Sequence, residues 1–254
     1  MHKLKLEFMP EATQKNFDRF KGDARLAGFT LVGGTALAVQ IGHRVSEDLD
    51  FNVFGHKLPI KDIDLLLNEL AAGGAAVESL ITPEQKSGFK INTSENLEDY
   101  IQDYLIDGSK VTFHSRFENE RPKAQIDYLK SAPKVRVADS GFEVLGLDGL
   151  LVMKSIVVYD RVRSRDLYDL MVLIRDHGYT LDHIFAAIEA YQPIRNKNPE
   201  HFKRVATGVV PLDKGDEGFS SIHLNVKLNA IYKYFQKLIN DHETRSVRRM
   251  NPKT

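Results

Sequence analysis

The sequence has neither cysteine nor tryptophan among its 254 residues. Without cysteine, disulfide bonds, thiolate metal ligands and cysteine nucleophiles are all excluded. Charge of one sign is not in excess either, because 35 Lys+Arg are balanced by 35 Asp+Glu. Domains that coat nucleic acid usually carry a basic excess, so this balance argues against such a surface but leaves room for a local basic groove.

Long hydrophobic runs are also missing. No stretch of 18 apolar residues exists, so we expect no helix that spans a membrane. The first residues, MHKLKLEFMPEATQKNF, lack the apolar segment of a secretory signal. Hydrophobic residues still make up 42% of the chain, enough for a substantial core. These features predict a globular protein in the cytoplasm that makes no membrane contact.

The hydrophobic pattern changes along the chain. Helical and alternating stretches mix over 1–145, and helical spacing prevails over 146–254, which predicts an α/β domain followed by a helical one. Within the first domain, residues 75–115 are expected to form several strands, with Asp107-Gly108 as a hairpin turn. The spacing predicts helices over 11–27, 60–71, 147–158, 164–177, 181–190, 198–206 and 224–240. The basic tail over 245–254 is expected to fray.

The most informative segment runs from Phe29 to Phe54. Its two glycines, Gly33 and Gly34, lie between an apolar strand and a helix, where a backbone without Cβ atoms can present N–H groups to an anion. Thr35 either adds a hydroxyl to the same anion or caps the helix.

Two carboxylates follow on the next predicted strand. Asp48 and Asp50 are two residues apart, so both side chains project from the same face. Adjacent carboxylates repel each other, and a hard divalent cation such as Mg²⁺ relieves this repulsion. Either motif alone is ordinary turn or surface chemistry, but their conjunction indicates a site for a phosphate and a metal.

This pattern resembles the DNA polymerase β-like nucleotidyltransferase superfamily. The string GGTALAVQIGHRVSEDLDF, with His43 and Arg44 near its centre, is similar to the AbiEii branch, the toxins of type IV toxin–antitoxin and abortive-infection modules. The resemblance implies an α+β fold in which a mixed sheet with helices precedes a helical domain that completes the active site. It further implies that the triphosphate of an NTP contacts Gly33, Gly34, Thr35 and Ser46, and that Asp48 and Asp50 hold Mg²⁺. Arg44 either binds phosphate or shapes the loop.

A lysine occupies the apolar stripe of the helix predicted over 147–158. Lys154 has leucines and valines on both sides at helical spacing, which is costly unless its charge is satisfied. It either extends to the rim of the core or points at an anion in a site. The resemblance assigns Lys154 and Asp169 to the active site and, more weakly, Asp166 to ligand binding. Asp169 is equally well explained as a structural partner of Lys154 or Arg165.

The third carboxylate of many polymerase β-like enzymes has no obvious counterpart. Thr112 takes the expected strand position, and Asp127 or Asp169 are the candidate replacements. Several basic groups are candidate phosphate or RNA contacts, although a solvated surface explains them equally well or better. They are Arg161, Arg163, Arg165, the segment 195–204 and Arg245, Arg248 and Arg249.

Taken together, the sequence predicts an enzyme that transfers a nucleoside monophosphate from NTP to an acceptor hydroxyl. The resemblance implies an RNA acceptor, a tRNA 3′ end in particular, and a winged-helix antitoxin as partner. Two alternatives stay open. One is a nucleotidyltransferase that modifies a small molecule such as an antibiotic, and the other is a non-catalytic module that binds a nucleotide or a protein.

Overall fold

The computed structural model describes residues 4–55, 57–115, 123–192, 198–219 and 224–250. The chain forms two compact units, Met1–Leu150 and Leu151–Thr254. The sequence places the boundary slightly earlier, between 145 and 146. No helix in the described part of the chain is long and apolar enough to cross a membrane.

The first unit is built on a seven-stranded mixed sheet, which confirms the predicted fold class. The strands are β1 Thr30–Val32, β2 Leu49–Asn52, β3 Val77–Ser79, β4 Ile101–Ile106, β5 Ser109–His114, β6 Lys134–Arg136 and β7 Glu143–Leu145. Their order in the sheet is β3-β4-β5-β2-β1-β7-β6. The central strand β2 is antiparallel to β1 and parallel to β5, and β1 is parallel to β7.

The first unit also contains helices, and the described part of the second unit is helical. In chain order they are α1 Glu11–Lys21, α2 Gly33–Ile41, α3 Ile60–Ala72, α4 Pro83–Thr93, α5 Lys123–Ser131, α6 Leu147–Val157, α7 Ser164–His177, α8 Leu181–Tyr191, α9 Pro199–Ala206 and α10 Leu228–Met250. The boundary between the units falls inside α6.

Three predicted elements differ from the structure. The segment 75–115 contains helix α4, because Thr82 and Gln85 form a reciprocal capping box and Pro83 occupies the first turn. Helix α4 buries none of its residues, so its sequence has no apolar stripe to reveal it. Helix α1 ends at Lys21 because Gly22 follows, and α10 continues to Met250 instead of ending at 240.

The predicted hairpin is present between β4 and β5. Asp107 and Gly108 both have positive φ, 47° and 85°, as a type I′ turn requires. The Asp107 carboxylate accepts hydrogen bonds from Lys15, Arg19 and the backbone N–H of Ala76. These contacts hold the pKa of Asp107 well below its usual range and fasten the turn to α1.

Packing of α1 against one face of the sheet creates an aromatic core. Phe20 lies edge-on to Phe51 of β2 and to Phe113 of β5, and the rings of Phe51 and Phe113 stack 5.7 Å apart. All three side chains are fully buried. Because side chains alternate along a strand, fixing Phe51 in this core directs its neighbour Asp50 to the opposite face of the sheet.

We expect Phe20→Ala to lower the free energy of unfolding by about 3–5 kcal/mol, since it leaves a cavity between α1 and the sheet. Urea unfolding followed by circular dichroism measures the loss. Ile91→Ala is the control, because Ile91 is 82% exposed and should change stability by less than about 0.5 kcal/mol. Equal losses in the two variants would contradict this account of the core.

Candidate active site

The turn between β1 and α2 forms the centre of the candidate site in the first unit. Val32 is the last residue of β1 and the N-cap of α2, and Gly33 follows with a φ of +75°. Side chains rarely tolerate this left-handed conformation, so glycine is favoured there. The first amides of α2 lie at the positive end of the helix dipole, the usual place for an anion.

Asp50 lies directly against this turn. Antiparallel pairing of β1 with β2 places Val32 opposite Asp50. A Cβ atom built on Gly33 would lie 2.5 Å from Asp50 Oδ2, so any other residue there would force the carboxylate to move. Asp50 is half-buried and Asp48, just before β2, is exposed. The structure therefore brings at least the Asp50 carboxylate to the glycine turn.

A second group of polar side chains surrounds Gly34. A Cβ atom there would lie 2.5 Å from Arg44 Nη2 and 3.0 Å from Ser46 Oγ. The Thr35 hydroxyl is hydrogen-bonded to Ser46 Oγ at 2.8 Å and to the backbone carbonyl of Asp48. Thr35, Arg44 and Ser46 are all buried. Their contacts tie the start of α2 to the loop that precedes β2, so the glycines and the aspartates are held as one piece.

Arg44 has a structural role in this loop. Its Nη1 donates to the carbonyl of Val45 at 3.0 Å, and its other terminal nitrogen faces Gly34. The guanidinium thus shapes the loop and also places positive charge beside the glycine turn. Both interpretations of Arg44 from the sequence are compatible with this position.

The carboxylates of Asp48 and Asp50 suit Mg²⁺ as a donor set. Hard oxygen ligands are what this ion prefers, and proteins commonly hold it with one or two carboxylates together with substrate phosphates. Within the described residues, no three His, Asp or Glu side chains are grouped as a metal cage. Two carboxylates would leave coordination positions on such an ion for phosphate oxygens.

The candidate third-ligand positions are now located. Thr112 on β5 pairs directly with Asp50, as the sequence suggests, but its hydroxyl donates to Asp103 on β4 at 2.7 Å. Asp103 is thus the next carboxylate along this row, one strand further than expected. Asp127, another candidate, is exposed on helix α5 and not on a strand of the sheet. The segment around Asp103 looks like an ordinary strand in which apolar and polar residues alternate. Only the strand register shows that Asp103 lies next to Thr112.

In the second unit, Lys154 forms a buried ion-pair network. Its Nζ lies 2.5 Å from Asp166 Oδ1 and 2.7 Å from Asp169 Oδ2, and Arg161 Nε lies 3.1 Å from Asp166 Oδ2. Lys154 is 6% exposed, and the two aspartates are more deeply buried. Lys154 therefore does not extend to the rim of the core, and Asp169 is its partner.

The network also controls the protonation of Asp166. Burial disfavours the charged carboxylate, but the positive charges of Lys154 and Arg161 outweigh this effect and hold the pKa of Asp166 below its usual range. A lowered pKa in the folded state means that the ionised carboxylate stabilises the fold above about pH 4. That contribution is lost as the pH falls through the lowered pKa.

The arginines near the start of α7 are engaged within the second unit. Arg163 donates to the carbonyl of Gly215 and lies 3.6 Å from Asp213, and Arg165 lies 3.0 Å from Glu217. An acidic loop after α9 thus faces both side chains. Arg163 and Arg165 therefore make contacts within the second unit, which neither a phosphate-binding nor a solvated cluster predicts.

The other basic groups are only partly described. Arg195 and the residues up to 197 lie outside the described residues, as does the side chain of Arg249. Lys203 on α9 pairs with Glu200 at 2.7 Å and Glu243 at 2.8 Å. Arg245 and Arg248 are on helix α10.

Residues 23–243 match the model of one protein family, described as the nucleotidyl transferase AbiEii toxin of a type IV toxin–antitoxin system. The chain belongs to the AbiEii family. This finding confirms the resemblance seen in the sequence and, at the level of the family, the prediction of a nucleotidyltransferase toxin. The matched residues include the glycine turn, the early aspartates and the buried network.

Individual proteins that resemble this chain share less than a third of its residues. Over 153 residues the chain is 29% identical to an uncharacterised protein, aq_aa25, of Aquifex aeolicus, a match that spans 60% of this chain and 61% of that protein. It is also similar to JHP933 from Helicobacter pylori, at 16% identity and a TM-score of 0.46, covering 95% of this chain and 96% of that one. MenT4, nucleotidyltransferase toxin Rv2826c from Mycobacterium tuberculosis, has 14% identity and a TM-score of 0.42, with 86% and 78% covered.

Gly33→Ala should abolish NTP binding, because the added methyl group displaces the Asp50 carboxylate. Gly74→Ala is the matched control, since Gly74 has a φ of +89° but a Cβ there meets no atom within 4 Å. Both variants should lose about 1–2 kcal/mol of stability through backbone strain. Calorimetric titration with NTP and Mg²⁺ distinguishes the two variants. Equal NTP affinities would show that the close approach of Asp50 to Gly33 is not important for binding.

Lys154→Met should lower the free energy of unfolding by about 3–5 kcal/mol, because it leaves two buried carboxylates without their shared cation. Removing the acids as well, in Lys154→Met/Asp166→Asn/Asp169→Asn, should restore part of the loss. Thermal and urea unfolding at neutral pH provide the measurement. A Lys154→Met protein as stable as the wild type would show that the network does not support the fold.

Proposed function

We propose that this protein is a Mg²⁺-dependent nucleotidyltransferase that moves a nucleoside monophosphate from NTP to an acceptor hydroxyl. The observation that carries the proposal is the contact of the Asp50 carboxylate with Gly33 at the start of α2. An anion-binding helix terminus and a cation-binding carboxylate at the same point suit a metal–polyphosphate complex, because each component stabilises the other's charge.

Each residue of the first unit has a defined part in this reaction. Asp48 and Asp50 would hold Mg²⁺, which neutralises charge on the triphosphate. The amides of Gly33 and Gly34 would bind phosphate oxygens, and Thr35, Arg44 and Ser46 would keep the turn in place and add donors. The acceptor oxygen would attack the α-phosphorus in line with the leaving pyrophosphate, so catalysis would rest on positioning and electrostatics.

Lys154 and Asp169 complete the proposed set of catalytic residues, on the family resemblance. Lys154 would stabilise charge on the phosphates, and Asp169 would orient Lys154 or the acceptor hydroxyl. The contacts of the lysine with Asp166 and Asp169 support a fixed position of its ammonium. Asp166 would act by positioning Lys154, because it lies between this lysine and Arg161.

We further propose an RNA acceptor, a tRNA 3′ end in particular, so that modification arrests growth. This part rests on the family, whose description as a type IV toxin also implies an antitoxin partner. We propose that this antitoxin is a winged-helix protein.

Asp50→Asn should abolish transfer of labelled nucleotide to RNA, because an amide does not supply the negative charge that holds the metal. The measurement incubates the protein with each radiolabelled NTP, Mg²⁺ and total cellular RNA. Asp62→Asn is the control, an equivalent change at an exposed carboxylate of α3, and should transfer as the wild type does. Thermal unfolding of both variants excludes a loss through misfolding.

The outcomes separate the alternatives. Transfer to a small hydroxyl compound but not to RNA would refute the proposed acceptor while preserving the chemistry. NTP binding without any transfer would favour a non-catalytic module. Full activity in the Asp50→Asn protein would refute the proposed metal site itself.

A further inference from the structure

A cavity of about 670 Å³ lies at the end of the sheet remote from the glycine turn. Thr30, the first residue of β1, and Val53 and Phe54, just after β2, contribute to its wall. Gly33 and Asp48 lie at the other ends of these two strands. Since β1 is only three residues long, the separation along the strand is about 10 Å. The proposed catalytic chemistry does not use this cavity.

Positive charge prevails in the wall of the cavity. Lys130 comes from the last turn of α5, and Lys134 and Arg136 come from β6. Among the described residues of the wall, Glu143 carries the opposing charge. Its Oε1 lies 3.7 Å from Arg136 Nε, and the Arg136 side chain is 90% exposed. An exposed pair at this distance is weak, so an incoming anion can compete for the guanidinium.

The arrangement of the cations is elongated. Lys134 and Arg136 are two residues apart on one strand and therefore point to the same side. Strand β6 ends the order of the sheet, so the row runs along an edge. A row of charge along an open edge matches the repeated phosphates of a nucleic-acid strand better than it matches a single compact anion.

An aromatic ring lies beside the row. Lys134 Nζ lies 5.8 Å from the ring centre of Phe54 and donates to the backbone carbonyls of Lys130 and Ala132. The ammonium is thereby held in one place, and Phe54 is half-buried. Basic side chains interleaved with an aromatic ring are the usual means of binding single-stranded nucleic acid, in which phosphates meet cations and a base stacks on the ring.

We infer that this cavity binds the sugar–phosphate backbone of the acceptor RNA, a short distance from the end that is modified. The inference rests on the proposed function in taking RNA as the acceptor, and it adds where the RNA is held and by which residues. Because phosphate contacts carry no base information, the cavity would contribute affinity and register rather than sequence choice.

The test measures binding of fluorescein-labelled bulk tRNA by anisotropy at several salt concentrations. Lys130→Glu/Arg136→Glu alters two exposed side chains, and Lys61→Glu/Lys90→Glu makes the same charge change at exposed positions of α3 and α4. The cavity variant should bind about tenfold or more weakly than this control. Its salt slope should fall by about 1.4, for two lost phosphate contacts on a single strand. Lys134→Gln should weaken binding in the same direction.

Equal affinities and slopes in the two double variants would overturn the inference, as would a wild type that does not bind tRNA. Weaker binding of labelled NTP by the cavity variant, with RNA binding unchanged, would assign the cavity to a nucleotide and also overturn it. Failure of the proposed function would give a different experimental result. In that case tRNA binding still depends on the cavity, but no nucleotide is transferred to any acceptor.

Discussion

The pairing of β1 with β2 is the constraint on which the rest of the candidate site depends. It places Val32 opposite Asp50, and so brings a carboxylate to the point where β1 ends and α2 begins. The aromatic core on the other face of the sheet fixes which way Asp50 points, through its neighbour Phe51. The site is therefore a consequence of packing, since α1, the core and the strand register together determine where the charge lies.

The second unit has a comparable constraint in its buried charges. Lys154 makes ion pairs with Asp166 and Asp169, and Arg161 adds a second cation. Burial makes the charges of Lys154, Asp166 and Asp169 costly alone, so each is retained only while its partners are present. Such a network fixes the rotation of α6 against α7, because any other rotation would leave a charge among the leucines. A structural role of Lys154 is therefore compatible with the proposed catalytic role.

Local patterns predicted the parts of the fold whose causes are local. The Asp107-Gly108 turn and the helical second unit follow from turn chemistry and periodicity. Helix α4 was missed because a helix without buried residues has no apolar stripe, although its capping box was present in the sequence. The role of Thr112 and Asp103 depends on strand register, which no single segment encodes. The same holds for the choice of Asp166 as a second partner of Lys154.

A chain with no net charge can bind a polyanion only where its cations escape local neutralisation. The sequence directed attention to Arg161, Arg163 and Arg165, but each of these faces a carboxylate of its own unit. The edge formed by β6 differs, because within the described residues its three cations face one glutamate, Glu143, and the pair of Glu143 with Arg136 is weak. Counting charges along the chain misses this difference, which depends on the partner that the fold gives to each cation. If the proposed RNA acceptor is right, the β6 edge is better placed than the arginine-rich segment to hold a nucleic-acid strand.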